Sequence, residues 1–110
     1  MSFWLNVTNQ ARDDITHNAA WWAETHSLDE ALKWYDSVYE QLNELLAFPE
    51  SHGLAAENDS FPYELREMLV GGKKRTYRAI FTIAGSEVRV LTVRRAAQRA
   101  ITPDDMFSEE

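Results

Sequence analysis

The chain has 110 residues, of which 45% are hydrophobic, so it can bury a core and we predict a single domain over residues 1–110. The absence of cysteine excludes disulfides and thiolate chemistry, and His17, His26 and His52 lack metal-ligand spacing, so we expect no metal or cofactor. No apolar run approaches the roughly 18 residues of a membrane span and the N-terminus lacks a secretory pattern, which predicts a cytoplasmic protein without membrane contact.

The net charge of −7 is unevenly distributed along the chain. Residues 64–99 contain nine of the eleven cationic residues and only three acidic ones, so this segment carries +6 and the remainder carries −13. The nine cations are Arg66, Lys73, Lys74, Arg75, Arg78, Arg89, Arg94, Arg95 and Arg99. Such segregation within one small domain favours a face that binds phosphates or an acidic partner.

A strand and an amphipathic helix are predicted first. Residues 3–8 alternate between apolar and polar side chains, as is typical of a strand. The helix that follows is capped by Thr8 or Asn9 and carries an apolar stripe at spacings of four, four and three residues. The stripe consists of Ala11, Ile15, Ala19 and Trp22. We expect the adjacent Trp21 and Trp22 to pack in the core, with a surface for a partner as the alternative.

The second helix is predicted over residues 28–48. Ser27 is a suitable N-cap, and Glu30 three positions later completes a capping box. Apolar residues then recur at helical spacing until Pro49 and Gly53 end the helix. The short connection makes the two helices antiparallel neighbours.

Three strands are predicted at about 62–69, 75–83 and 86–93, after the polar loop "GLAAENDSFP". A two-residue turn at Ala84–Gly85 would pair Ile83 with Ser86 and Phe81 with Val88. The face toward the helices would then contain Tyr77, Ala79, Phe81, Ile83, Val88 and Val90. We therefore predict that Leu42, Leu45, Phe81 and Val90 are buried.

The opposite face of this sheet is predicted to be open and cationic. It would contain Arg78, Ile80, Thr82, Arg89 and Leu91. A three-residue loop at Gly71–Lys73 would place Arg66 opposite Arg78, with Tyr63 and Leu65 on the helix side. We call the exposed Arg66, Arg78 and Arg89, with Lys73, Lys74 and Arg75 at the rim, the cationic face. Grouped like charges repel, so this face is predicted to bind an anion.

Three stretches of the chain carry a likeness to a known family. They are "ALKWYDSVYEQLNELLAFP" in the second helix, "YELREMLVGGKKRTYRAIFTIAGSEVRVLTVRR" across the strands, and "RRAAQ" after the last strand. With the element order, they make residues 3–100 resemble the RelE/ParE superfamily of toxins from type II toxin–antitoxin systems (the plasmid stabilisation protein family). The resemblance implies an α+β fold of order β-α-α-β-β-β, with a helical hairpin packed on one face of an antiparallel sheet. It also implies a cognate antitoxin, whose carboxylates and apolar residues would bind the cationic face.

The resemblance implies one of two activities. RelE-like members cleave mRNA on the ribosome, whereas ParE-like members inhibit DNA gyrase without known chemistry of their own. The cationic face suits phosphate chemistry, so the favoured hypothesis is inhibition of translation by an RNA-binding, metal-independent endoribonuclease. The alternatives are gyrase inhibition and a degenerate, non-toxic relative that binds a partner through the same face.

The resemblance also suggests roles for individual residues. Arg78 matches the phosphate-stabilising arginine of the family's nucleases, Arg66 stands where some have a lysine, and Arg95 approximates the basic residue after the last strand. Glu64 replaces a second expected lysine; it is a candidate base, but a structural ion pair is the favoured role for a lone glutamate at a strand edge. The other cations would hold RNA phosphates: Lys73, Lys74, Arg75, Arg89 and Arg94. No tyrosine or histidine follows Arg95, so the family's usual C-terminal proton donor is missing.

The last residues, 102–110, form an acidic tail that we expect to be frayed. The alternatives are a helix that begins at Thr102 and Pro103, or a tail folded back over the cationic face.

Overall fold

The computed structural model of the chain describes residues 2–98, 100–103 and 105. In chain order, the elements are β1 (Trp4–Val7), α1 (Asn9–Thr25), α2 (Leu28–Glu44), β2 (Arg66–Val70), β3 (Tyr77–Ala84) and β4 (Glu87–Arg95). Two short 3-10 turns, Pro49–Ser51 and Asn58–Ser60, lie in the connection between α2 and β2. The two helices pack on one face of the sheet, which confirms the predicted α+β fold and element order.

The four strands form one sheet in the order β1-β4-β3-β2. The β2–β3 and β3–β4 pairs are antiparallel, but β1 is parallel to β4. The sheet is therefore mixed, whereas the sequence predicts antiparallel pairing alone. The reason is that β1 joins the rest of the sheet through the helical hairpin, and a helical crossover allows parallel pairing where a tight turn does not.

Local signals at the start of each helix agree with the structure. The Thr8 side chain accepts a hydrogen bond from the Ala11 amide, and the Ser27 side chain accepts one from the Glu30 amide. Regular α2 ends at Glu44 rather than at residue 48, because the amides of residues 45–47 bond to carbonyls three positions earlier and tighten the last turn.

The β3–β4 turn lies one residue later than predicted, which shifts the pairing by two. Ala84 pairs with Glu87 and Ile83 with Val88, so Gly85 (φ 62°) and Ser86 form the turn. Phe81 consequently faces Val90. The pairings predicted from the sequence are wrong, but an offset of two leaves every side chain on its predicted face.

A carboxylate of α1 forms hydrogen bonds to a β-bulge on β4. The pairing shifts between Ile80, opposite Thr92, and Phe81, opposite Val90. At this point Asp14 of α1 accepts a hydrogen bond from the Val93 amide at 3.1 Å and another from the Thr92 hydroxyl. Asp14 therefore satisfies polar groups of the distorted strand and fixes α1 on the sheet.

The main core lies between the helices and the sheet. Leu42, Leu45, Phe81 and Val90 are fully buried in it, as predicted. Trp22 packs against this core, but Trp21 is 36% exposed, so the expectation of a buried pair is wrong for Trp21.

The other face of the sheet is covered as well. Residues 54–65 fold over it together with Ile101, and we call residues 54–65 and Ile101 the covering segment. The sequence presents residues 53–62 as a polar loop and predicts a strand from about residue 62, whereas β2 begins only at Arg66. The second buried cluster comprises Ala55, Leu65, Ile80, Leu91 and Ile101, with Phe61 against it. Leu65 thus lies on the face opposite to the predicted one, and Tyr63 is exposed ahead of β2. The predicted open face is wrong because apolar residues of this loop bury it.

The tail is described only in part. The Asp105 amide bonds to the Thr102 carbonyl, and the Thr102 amide bonds to the Asp105 carboxylate at 2.9 Å, so a helical turn starts here. The remainder of the predicted frayed tail, Asp104 and residues 106–110, lies outside the described residues, as does Arg99. Within the described part of the chain, no helix has the length and apolar character to cross a membrane.

Candidate functional site

Arg78, predicted to be exposed, is buried in an ion-pair cluster. Its side chain retains 11% exposure, and its Nη2 lies 2.5 Å from Glu57 Oε1 and 2.9 Å from Glu67 Oε1. Glu57 belongs to the covering segment, is only 3% exposed, and accepts a further hydrogen bond from the Ile101 amide. Two carboxylates therefore surround one guanidinium beneath the covering segment, so Arg78 presents no positive surface to a ligand.

The electrostatics of this cluster favour its charged form. Burial alone would raise the pKa of Glu57, but the hydrogen bonds from Arg78 and the Ile101 amide outweigh burial and lower that pKa below its usual value. The Glu57 hydrogen bond in turn raises the pKa of Arg78. The cluster thus stays charged, with one cation between two carboxylates, and its ion pairs join the covering segment to β2 and β3.

Arg66 and Glu64 are also occupied by structural contacts. Arg66 pairs with Phe81 rather than with Arg78, because the β2–β3 loop spans residues 71–76 instead of three residues. The Arg66 Nη1 donates to the His52 carbonyl at 2.5 Å, and its Nη2 lies 3.0 Å from Glu64 Oε1. Arg66 therefore fixes the chain before β2, and Glu64 forms an ion pair, the role that the sequence favours over that of a catalytic base.

Arg89, Arg94 and Arg75 do not form one surface with Arg78. Arg89 bonds to Glu87 of its own strand at 2.9 Å, and this contact, followed by that from Asn6, lowers the pKa of Glu87. Arg94 faces Arg78 across the β3–β4 pair, and its buried Nε has no hydrogen-bond partner among the described residues. Arg75 bonds to Glu44 of α2 at 3.3 Å. The cationic face, as a continuous surface, is therefore not formed.

The β2–β3 loop, by contrast, is held rigidly and presents two lysines. Gln41 of α2 accepts from the Gly71 amide at 2.7 Å and donates to the Gly72 carbonyl at 3.0 Å, while the Ser37 hydroxyl accepts from the Gly72 amide. Gly71 has φ 95°, and a Cβ there would lie 2.7 Å from the Tyr77 ring, so glycine is required. Lys73 and Lys74 extend from this loop into solvent.

These lysines border a groove that reaches the tryptophans of α1. The groove has a volume of about 710 Å³, with Trp22, Trp34 and the glycines of the loop along its wall and Lys33, Lys73 and Lys74 among its polar residues. Trp22 is anchored by a 3.2 Å hydrogen bond from its Nε1 to the Tyr77 hydroxyl.

Arg95 completes this region on the far side of the tryptophans. Its guanidinium carbon lies 4.8 Å from the centre of the Trp21 ring, and the Trp21 and Trp22 rings are 5.3 Å apart. We call Trp21, Trp22, Lys73, Lys74 and Arg95 the tryptophan–lysine surface. Of the nine residues predicted to act at the site, the structure brings only Lys73, Lys74 and Arg95 to this surface.

Sequence reasoning missed two features of the site. Glu57 stands in a polar loop without periodicity, and no local signal marks it as the partner of Arg78, 21 positions later. The exposure of Trp21 had a signal in the sequence: it lies one position from the apolar stripe that ends in Trp22, so only one of two adjacent residues can face the core. The described residues also contain no cluster of histidine and carboxylate side chains arranged to hold a metal ion.

Comparisons with known proteins identify the fold of the chain. No protein-family model matches the chain, and no curated protein sequence matches it. Among solved structures, it is similar to a chain of the chromosomal ParDE TA system from P. aeruginosa, with a TM-score of 0.70 and 20% identity over 84% of this chain and 95% of that one. It is also similar to E. coli toxin RelE in the free state, in a variant with two arginines replaced by alanine, with a TM-score of 0.52 and 18% identity over 99% of this chain and 94% of that one. The chain therefore has the RelE/ParE toxin fold, the fold that its sequence resemblance implies.

Proposed function

We propose that the chain is the toxin of a type II toxin–antitoxin pair and that it acts by binding a protein target, as ParE-like gyrase inhibitors do. Its proposed partners are a cognate antitoxin and DNA gyrase, both in the cytoplasm. The fold likeness to the ParDE and RelE structures supports the toxin assignment.

The observation that carries the choice of mechanism is the neutralised Arg78. A metal-independent nuclease needs an unpaired cation to stabilise charge on the scissile phosphate. Arg78 instead lies between Glu57 and Glu67, so the local formal charge of the three groups is −1 and a phosphate would be repelled. Glu64, the candidate base, pairs with Arg66, which binds backbone carbonyls. The residues expected to perform RNA cleavage are thus committed to the fold, whereas inhibition by binding requires only a complementary surface.

A second candidate, ribosome-dependent mRNA cleavage, is favoured by one observation. Lys73 and Lys74 project from a rigid loop and have no carboxylate within ion-pair distance among the described residues, as expected of cations that grip an RNA backbone.

The two mechanisms are separated by assaying one purified protein against both targets. We expect the chain to stop growth when expressed, to inhibit gyrase-catalysed DNA supercoiling, and to leave ribosome-bound mRNA intact in a primer-extension assay. Cleavage of ribosome-bound mRNA without gyrase inhibition would replace the proposal with the second candidate.

The same experiment includes a matched pair of variants. Lys73→Ala/Lys74→Ala removes two exposed cations without altering the core, and Arg89→Ala removes a cation paired within its own strand. Reduced toxicity of the double variant and unchanged toxicity of Arg89→Ala would place target binding at the β2–β3 loop. If cells that express the folded wild type grow normally and neither target is affected, the chain is instead a degenerate, non-toxic relative of the toxins.

A further inference from the structure

The tryptophan–lysine surface combines the exposed Trp21 ring and the half-buried Trp22 ring with three cations that have no carboxylate within ion-pair distance among the described residues. Trp21 is 36% exposed although it is a large apolar residue, and the Arg95 guanidinium lies 4.8 Å from its ring centre. The His26 ring lies 5.9 Å from the Trp21 ring and 4.4 Å from the Trp22 ring, so it covers part of both tryptophans. Trp22 continues the aromatic surface into the groove, where Lys73 and Lys74 stand at the opposite border. The proposed toxin action does not depend on the two tryptophans.

The charge of this surface is opposite to that of the whole chain. Among the described residues, no carboxylate lies within ion-pair distance of Lys73, Lys74 or Arg95, whereas the chain carries −7. The groove itself is lined by four cations and one carboxylate, Glu30. Two of the four cations are paired, Lys33 with Asp29 and Arg75 with Glu44, which leaves Lys73 and Lys74 as the source of its excess positive charge. Because acidic residues dominate elsewhere, a polyanion is attracted to this region and repelled from the rest of the protein.

The supporting framework is preformed. Gln41 and Ser37 fix the loop backbone on α2, and the Tyr77 hydroxyl fixes the Trp22 indole. The exposed cations and rings therefore project from ordered elements, which limits the entropy lost when a ligand binds.

We propose that the tryptophan–lysine surface binds single-stranded nucleic acid, with unpaired bases against Trp21 and Trp22 and phosphates at Lys73, Lys74 and Arg95. Aromatic side chains stack on bases of any sequence, and neighbouring cations follow the phosphate backbone. A duplex buries its base faces in its own stack, so the rings select unpaired strands. This activity goes beyond the proposed toxin action and requires neither RNA cleavage nor gyrase.

Fluorescence anisotropy of the full chain with labelled 12-nucleotide oligo-U RNA and oligo-dT DNA tests the proposal, with a 12-base-pair duplex for comparison. We expect saturable binding of at least one of the two single strands. The strand that binds with the lower Kd, RNA or DNA, identifies the class of nucleic acid that the surface prefers. Three phosphate contacts predict a binding constant about 20-fold lower at 200 mM than at 50 mM salt.

Two variants and two matched controls locate the site. Trp21→Ala should weaken binding about tenfold or more through lost stacking. Lys73→Ala/Lys74→Ala should weaken binding and flatten its salt dependence, since two of three contacts are removed. Trp4→Ala, which removes a 55% exposed tryptophan on β1, and Arg89→Ala should leave binding unchanged. Circular dichroism confirms folding, and the lysine variant changes only exposed side chains.

Several results would overturn the proposal. They are the absence of saturable binding at 50 mM salt, equal affinity for the duplex, affinities of both site variants equal to the wild type, or an equal loss in Trp4→Ala. Binding of a labelled poly-glutamate peptide, but of neither oligonucleotide, through the same residues would show that the surface recognises an acidic protein instead.

Discussion

Replacing Arg78 by alanine should destabilise the fold, because it leaves Glu57 buried without its counter-ion. The Glu57 side chain is 1% exposed and would keep only the Ile101 amide, whereas Glu67, at 29%, can turn to solvent. Glu57 would then fold in its protonated form, which at pH 7 costs about 3.7 kcal/mol relative to an ordinary glutamate with a pKa of about 4.3. This figure lies within the roughly 3–5 kcal/mol known for breaking a buried pair. Urea unfolding followed by circular dichroism measures the loss, which we also expect to lower Tm by about 10–20 °C.

The pH dependence of this loss identifies its cause. A buried glutamate without Arg78 has a raised pKa, so the folded variant binds a proton that the unfolded chain does not, and its stability rises as the pH falls. The difference in the free energy of unfolding between the variant and the wild type should therefore decrease by about 1.4 kcal/mol for each unit by which the pH falls from 7 to 5. The double variant Arg78→Ala/Glu57→Gln should recover stability and lose this dependence. A loss no larger than that of Arg89→Ala, or one that is constant with pH, would refute the reasoning.

Three further predictions concern packing and backbone geometry, all measured by denaturant unfolding. Leu45→Ala should cost about 2–5 kcal/mol because the side chain is fully buried; a loss within error would mean that α2 does not present this face to the sheet. Gly71→Ala should cost about 1–3 kcal/mol because of its positive φ and the close Tyr77 ring, while Gly53→Ala, with open space around it, should stay within about 0.5 kcal/mol; equal losses would contradict this. Asp14→Ala should cost about 1–3 kcal/mol by leaving the Val93 amide without its partner, and an unchanged unfolding midpoint would show that the bulge needs no such support.

The part of the fold that follows from periodicity was predictable from the sequence. Ser27 and Glu30 mark the start of α2, and alternation in β3 and β4 assigns Phe81 and Val90 to the core even though the turn lies one residue from its predicted position and the pairing is shifted by two. Side-chain faces depend only on parity along a strand, so this error in pairing does not change them.

The candidate site was less predictable because its geometry depends on contacts distant in sequence. The cationic face requires the second face of the sheet to be open, and the covering segment that buries Arg78 has neither helical nor strand periodicity. The length of the β2–β3 loop likewise depends on Gln41, which lies 30 positions before Gly71. Only Lys73 and Lys74, whose exposure follows from their place in a loop, keep their predicted character.

The parallel pairing of β1 with β4 has a consequence for biosynthesis. The Thr8 hydroxyl donates a hydrogen bond to the carbonyl of Val90, 82 positions later. The backbone groups of β1 therefore gain their hydrogen-bond partners only after β4 has been synthesised. Folding dominated by such distant contacts is slow, and during vectorial synthesis the helical hairpin emerges well before the strands that cover its apolar side. The chain therefore cannot complete its fold, including the pairing of β4 with β1 and β3, until translation of the domain is nearly finished.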